Sequence, residues 1–218
     1  MDSPVTHLLK EVQVPSIYQL KPRFQALLRP GVSRLHERGV TANQVTLVAA
    51  LVSVLLGVLL AWGASHAWLF ALLPLWMLLR MALNAVDGML AREFGQQSRL
   101  GAYLNELCDV IADTALYLPF ALLPGVWPLL VVLVAVAALV SEYAGVMGPL
   151  AGASRRYDGP MGKSDRAFVF GALGLAVAFA IPAAWVNGVL LVVLLLCLFT
   201  LYNRVRQGLA ETREFPAG

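Results

Sequence analysis

Between Asn84 and Asp113 the chain reads NAVDGMLAREFGQQSRLGAYLNELCDVIAD, with carboxylates and amides recurring at helical spacing inside otherwise apolar sequence. Arg80, Asn84 and Asp87 fall at i, i+4 and i+7 and so share one face of a helix. Gly101, Asn105, Asp109 and Asp113 step by four and draw a second stripe, with Glu106 one position round from it. A charged side chain near a bilayer centre costs about 2.5 to 3.5 kcal/mol, so several carboxylates on one helix need pairing, hydration or a cation. One solution is a buried polar network in which Arg80 neutralises Asp109 or Asp113 and ties helices together. The other is a cation site. Oxygen donors without Cys or His favour a hard ion, Mg²⁺ or Mn²⁺ over Zn²⁺, and such ions serve best where they bridge phosphate oxygens.

The elements that must carry these stripes are membrane helices. Of 218 residues, 59% are hydrophobic and 13% charged, which excludes a soluble globular domain. Apolar runs long enough to cross the hydrocarbon core occur at Val45–Trp62, Ala67–Val86, Leu100–Leu123, Val126–Met147, Ala167–Trp185 and Gly188–Asn203. The expected fold is all-α: six transmembrane helices, residues 41–205, between an N-terminal segment 1–40 and a tail 206–218. Within the first segment, residues 16–29 space Ile17, Leu20, Phe24, Leu27 and Leu28 as an amphipathic interfacial helix, with Pro30-Gly31 then forming a turn. Thr41–Gln44, TANQ, reads as a capping box, and Ser98 and Ser164 as N-caps of the third and fifth spans. Asp2, and the lack of an apolar stretch beside a basic start, argue against a cleaved signal peptide.

Lys and Arg collect before the first span, after the second and fourth, and at the C-terminal end. The other connections lack them, so both termini and the Asn84–Asp113 stretch are expected on the cytoplasmic side. The same distribution explains the sequence pI of about 9.1 without nucleic acid. Cys108 and Cys197 lie in apolar segments and form neither a disulfide framework nor a metal site.

The spacing within the stripes is specific. Asp87-Gly88, then Ala91-Arg92, eight further residues, then Gly101, Asn105 and Asp109 resembles the signature of the CDP-alcohol phosphotransferase family, D-x2-D-G-x2-A-R-x8-G-x3-D-x3-D. GVTANQVTL at Gly39–Leu47 is also similar to the start of that family's first membrane helix. The resemblance implies a cytoplasm-facing site on a six-span fold in the bacterial inner membrane, and a homodimer. It implies transfer of a phosphatidyl, or phospho-alcohol, group from a CDP-linked lipid, CDP-diacylglycerol being favoured, to an acceptor hydroxyl, with CMP released. Asp87 and Asp109 would hold one or two divalent ions, and Asp109 would also be the base. Asp87, Gly88, Ala91, Arg92 and Gly101 would receive the nucleotide. Gly88, Ala91 and Gly101 leave room between helices, although small residues also serve close packing; Arg92 offers a planar fork to phosphate or a basic anchor at a helix end.

The chain departs from the signature at two of its four aspartates, which are Asn84 and Asn105 here. An amide oxygen still ligates a hard cation, but each change removes one negative charge. Glu106, Asp113 and Glu142 are possible replacements, or Asp113 pairs with Arg80. Two ions, one ion, or a degenerate member that binds CDP-lipid or a partner without turnover all remain open. Arg155, Arg156, Lys163 and Arg166 form a basic loop that could take the phosphate of a phospho-alcohol acceptor or touch anionic headgroups; a small polar alcohol is the other acceptor class. A cation or proton transporter is a remote alternative, because the polar positions stop at Asp113.

Overall fold

The structure, a computed structural model, describes residues 17–214. Seven α-helices follow one another: α1 Ile17–Glu37, α2 Ala42–Trp62, α3 Leu72–Glu93, α4 Arg99–Tyr117, α5 Pro128–Met147, α6 Lys163–Ala178 and α7 Ala183–Glu214. Short 3₁₀ turns at Ala67–Ala71, Leu118–Leu122 and Gly148–Ala151 extend three of the helical segments, and no strand occurs among the described residues. The sequence expectations for residues 1–16 and 215–218 lie outside the described residues.

Four helical segments are long and apolar enough to cross a membrane: Ala42–Trp62, Ala67–Glu93, Pro128–Ala151 and Ala183–Thr212. The remaining two helices of the bundle have identifiable reasons for falling short. Helix α4 carries Arg99, Glu106, Asp109 and Asp113, while α6 has only 16 residues. The expected fifth span, Ala167–Trp185, therefore ends early. Helix α6 closes at Ala178, Ala180 takes φ +55°, and Trp185 falls in the first turns of α7. Pro182 cannot extend α6 but suits the lead into α7, where the Trp185 amide bonds to its carbonyl at 3.0 Å. The last helix then continues through residues 204–214 instead of stopping at Asn203.

The expected turn at Pro30-Gly31 is also absent, since α1 runs unbroken to Glu37. Packing explains this: Leu28, Val32 and Leu35, one face of α1, join Val86, Met89 and Leu90 of α3 in a buried cluster. That gain outweighs one missing amide donor at Pro30. The chain leaves α1 through Gly39, at φ +76°, with the Val40 amide bonding back to Leu35 at 3.0 Å, a glycine-terminated helix end.

Capping follows the sequence at two of three starts. Thr41 Oγ1 accepts from the Gln44 amide at 3.2 Å while Gln44 Oε1 accepts from the Thr41 amide at 2.9 Å. Ser98 Oγ accepts from the Gly101 amide at 2.9 Å. Ser164 does not cap α6. Gly162 occupies that place, and Asp165 reaches back to its amide at 2.9 Å.

Helix pairs α2/α4, α3/α6 and α5/α7 make the main contacts. Two rest on glycine: a Cβ at Gly57 would lie 2.2 Å from the Ala115 carbonyl oxygen, and one at Gly174 would lie 2.7 Å from that of Phe70. Only backbones without side chains approach so closely. At the apolar end Tyr117 stacks on Phe170 at 3.7 Å, and Phe120 meets Phe70 and Phe170 edge-on at 5.1 and 5.5 Å. These rings fix α4 against α6 directly below the polar stripe of α4.

Candidate active site

The polar residues of α3 and α4 meet those of α2, α5, α6 and α7 at one level of the bundle. Asp87 is 5% exposed. It faces α2, where Thr46 Oγ1 donates to its Oδ2 at 2.7 Å, and it lies within electrostatic range of Asp109 and Lys163. On α4, Asp109 receives the Lys163 ammonium on Oδ2 and the Arg80 guanidinium on Oδ1 at 3.4 Å. Asp113 pairs with Arg80 and, at 3.3 Å, with Arg166. Arg166 also reaches Glu142 at 2.9 Å and the Met161 carbonyl at 3.0 Å. Arg204 completes the chain, 3.2 Å from Glu142 and donating to the Ser141 carbonyl at 2.5 Å.

This network contains the pairing of Arg80 with Asp113 read from the stripes. It corrects one other expectation. Arg166, 1% exposed, is no part of an exposed basic loop, because Asp113 and Glu142 draw it into the core. Arg204 is likewise buried, 2% exposed. The rest of the loop divides as well. Arg155 forms a two-pronged pair with Glu106 and lies 4.9 Å over the Tyr157 ring. Arg156 pairs with Asp158 at 2.8 Å and with Glu211, fastening the loop to α7. Hydrogen bonds to Asp158, followed by the charges of Asp158 and Glu211, hold the Arg156 guanidinium above its ordinary pKa.

Glu106 and Asp113 are therefore engaged by guanidinium groups and do not stand ready as replacement metal ligands. Among the described residues no three His, Cys, Asp or Glu side chains converge as a metal cluster. Asp109 is engaged in the same way by Lys163 and Arg80, so Asp87 is the motif carboxylate without an ion pair, with the amides Asn84 and Asn105 as the other candidate donors. Asn84 lines a cavity of about 140 Å³ between α3 and α6 with Arg80, Lys163, Ser164, Met77 and Met81, so a ligand has room beside Asn84 and Lys163. This donor set suits a hard divalent ion.

The small residues of the motif have visible neighbours. A Cβ on Gly88 would meet Arg92 Nη2 at 2.7 Å, so the Arg92 fork folds over the glycine. A Cβ on Gly101 would meet Asn43 Oδ1 at 2.8 Å. Ala91 packs on the α1–α3 cluster, where its small size serves that contact. Gln96 holds the connection between α3 and α4: its Oε1 accepts from the Ala42 amide at 2.7 Å, and its Nε2 lies 3.4 Å from the Val40 carbonyl.

Both the sequence and the fold have known counterparts. The sequence model described as CDP-alcohol phosphatidyltransferase matches residues 39–201, which include every motif position named above. The chain belongs to that family. It is 48% identical over 200 residues to the inner membrane protein YnbA of Escherichia coli, covering 91% of this chain and 99% of that one. An archaetidylinositol phosphate synthase from Aeropyrum pernix is 35% identical over 108 residues, 48% of this chain and 55% of the relative. The phosphatidylinositol phosphate synthase PgsA1 of Mycobacterium tuberculosis, solved with manganese and citrate, superposes with a TM-score of 0.68 at 20% identity, covering 87% of this chain and 92% of that one. The fold is thus that of a membrane-embedded enzyme family of phospholipid synthesis.

Three residues near the site have contacts that their sequence positions do not signal. Thr46 looked like one more residue of an apolar span, yet its hydroxyl is the group that orients Asp87. Asn43 sits inside the TANQ cap and resembled capping chemistry alone. Lys163 was grouped with the loop, but α6 begins there and turns its ammonium onto Asp109. Beyond Asp113 the interior is closed by Leu116, Tyr117, Phe120 and Phe170, all fully buried.

Proposed function

We propose that the chain transfers a phosphatidyl group from a CDP-linked lipid, CDP-diacylglycerol, to the hydroxyl of a small polar alcohol or phospho-alcohol, releasing CMP. The observation that carries this reading is the convergence of Asp87, Asp109, Lys163 and Asn84 beside an open cavity, with Arg92 over Gly88 at the outer end of the same helix. The printed names of the synthase relatives and the manganese in the solved neighbour support the substrate class and the metal dependence.

Asp87, assisted by Asn84 and Asn105, would hold the divalent metal, Mg²⁺ or Mn²⁺, with Asp109 beside it. A divalent ion held there would supply positive charge against the donor phosphates and the charge developing on CMP. Arg92 binds phosphate at the nucleotide end, and Gly88 and Gly101 let the nucleotide approach the backbone. The acceptor hydroxyl enters the cavity between α3 and α6. Its proton passes to Asp109, its oxygen attacks the phosphorus bearing the lipid alcohol, and the bond from that phosphorus to CMP breaks in line. Six spans with both termini and the site toward the cytoplasm of the bacterial inner membrane, and assembly as a homodimer, complete the proposal.

The test is CMP release from CDP-diacylglycerol by purified protein in liposomes with Mn²⁺ or Mg²⁺, across glycerol 3-phosphate, inositol phosphate, serine and glycerol. Release that disappears in Asp109→Ala is the expected result. Binding of CDP-lipid without release with any acceptor would establish the non-catalytic reading, to which Asn84 and Asn105 lend support.

A further inference from the structure

Of the two buried carboxylates among the described residues, Asp113 holds two guanidinium groups and Asp87 holds none. Asp87 has the Thr46 hydroxyl, at 2.7 Å, and the Gly88 amide as hydrogen-bond donors, but no ion-pair partner among the described residues. A buried carboxylate with no paired charge is costly, so Asp87 is where a cation is most strongly required. Asp109 differs. Lys163 and Arg80 take its two oxygens, and the charge that a metal ion would supply there is already present.

The charges around the site point the same way. Arg80, Lys163, Arg166 and Arg204 stand against Asp87, Asp109, Asp113 and Glu142, four cations and four carboxylates that cancel. The pyrophosphate of a CDP-linked donor brings one negative charge on each phosphate. With Arg92 on the phosphate supplying one positive charge, a single divalent ion already more than balances the donor, whereas a second would leave three positive charges without partners. Aspartate in place of Asn84 and Asn105 would add two negative charges, the complement of one further ion.

We infer that this site takes one divalent cation, seated on Asp87, and that the Lys163 ammonium stands at Asp109 in place of a second. This rests on the transferase reading for its substrate but is tested without turnover. Purified protein in detergent micelles is dialysed to equilibrium against Mn²⁺ alone; bound manganese is counted per chain, and its paramagnetic resonance spectrum is recorded. One Mn²⁺ with an uncoupled spectrum is expected, none in Asp87→Asn, and two spin-coupled ions in the double variant Asn84→Asp/Asn105→Asp. Lys163→Met is expected to keep the count at one and tighten Mn²⁺ at least about tenfold, because a like charge nearby is removed; this variant decides the matter if the double variant does not elute as a monodisperse species. Two ions or none on the wild-type chain, or unchanged affinity in Lys163→Met, would overturn the inference. Calorimetric titration with CDP separates the two readings: absence of nucleotide binding sinks the transferase proposal and leaves the ion count standing.

Discussion

Arg166→Met separates a structural cation from an acceptor-binding one. Arg166 is 1% exposed and donates to the Met161 carbonyl at 3.0 Å, to Asp113 at 3.3 Å and to Glu142 at 2.9 Å. Methionine keeps most of the stem volume while removing the charge and the fork. Deleting one partner of a buried pair costs about 3 to 5 kcal/mol, because the opposing carboxylates lose compensation. Arg80 still serves Asp113 and Arg204 still serves Glu142, which places the expected loss near the lower end. In a chain of this length about 1 kcal/mol moves the melting point by about 2 to 4 °C, so a fall of about 6 to 12 °C is expected. Thermal unfolding in detergent, followed by tryptophan fluorescence, reads it directly. Arg166→Lys should recover part of the loss, since it restores charge without the planar fork. A melting point within about 2 °C of wild type, accompanied by a raised KM for a phosphorylated acceptor, would refute the reasoning and return Arg166 to the acceptor site.

Thr46→Val removes the hydroxyl that orients Asp87 and is expected to weaken Mn²⁺ binding about tenfold to a hundredfold with the fold intact; unchanged affinity in the same dialysis measurement would contradict that role. Gly57→Ala places a Cβ 2.2 Å from the Ala115 carbonyl oxygen, so a marked loss of monodisperse protein on size-exclusion chromatography is expected. Gly31→Ala, in the helical stretch of α1 with nothing within 4 Å of the added carbon, should instead be neutral or stabilising by up to about 1 kcal/mol in thermal unfolding.

The parts of the fold legible in the sequence are those set by local pattern. The TANQ box and Ser98 start α2 and α4 as their side chains require, and the four-residue step from Gly101 to Asp113 places its polar residues on one stripe of α4. What local pattern left open was decided by packing. Pro30 and Gly31 signal a turn, but the burial of Val32 on α3 keeps α1 helical. Ser164 is as good a capping residue as Ser98, yet α6 starts two residues earlier because Asp165 reaches the Gly162 amide. At the site, motif spacing picked out Asp87 and Asp109 but not their partners. Thr46 and Lys163 come from helices distant in sequence, and nothing in a span's composition distinguishes a threonine that orients a carboxylate from one that packs.

The partners also change what the asparagines mean. Taken as a sequence, Asn84 and Asn105 are two losses from a four-aspartate signature and suggest decay. Set among Arg80, Lys163, Arg166 and Arg204 they become part of a balance, because four buried or half-buried cations already face the carboxylates that remain. Decay would leave those cations with no common purpose, and an unpaired ammonium or guanidinium at this depth is costly. Each instead sits on a named carboxylate, and Asp87 alone is left for an ion to complete. A site arranged in this way favours a maintained variant of the family's chemistry over a remnant of it, and the wild-type manganese count distinguishes the two: one ion for the variant, none for the remnant.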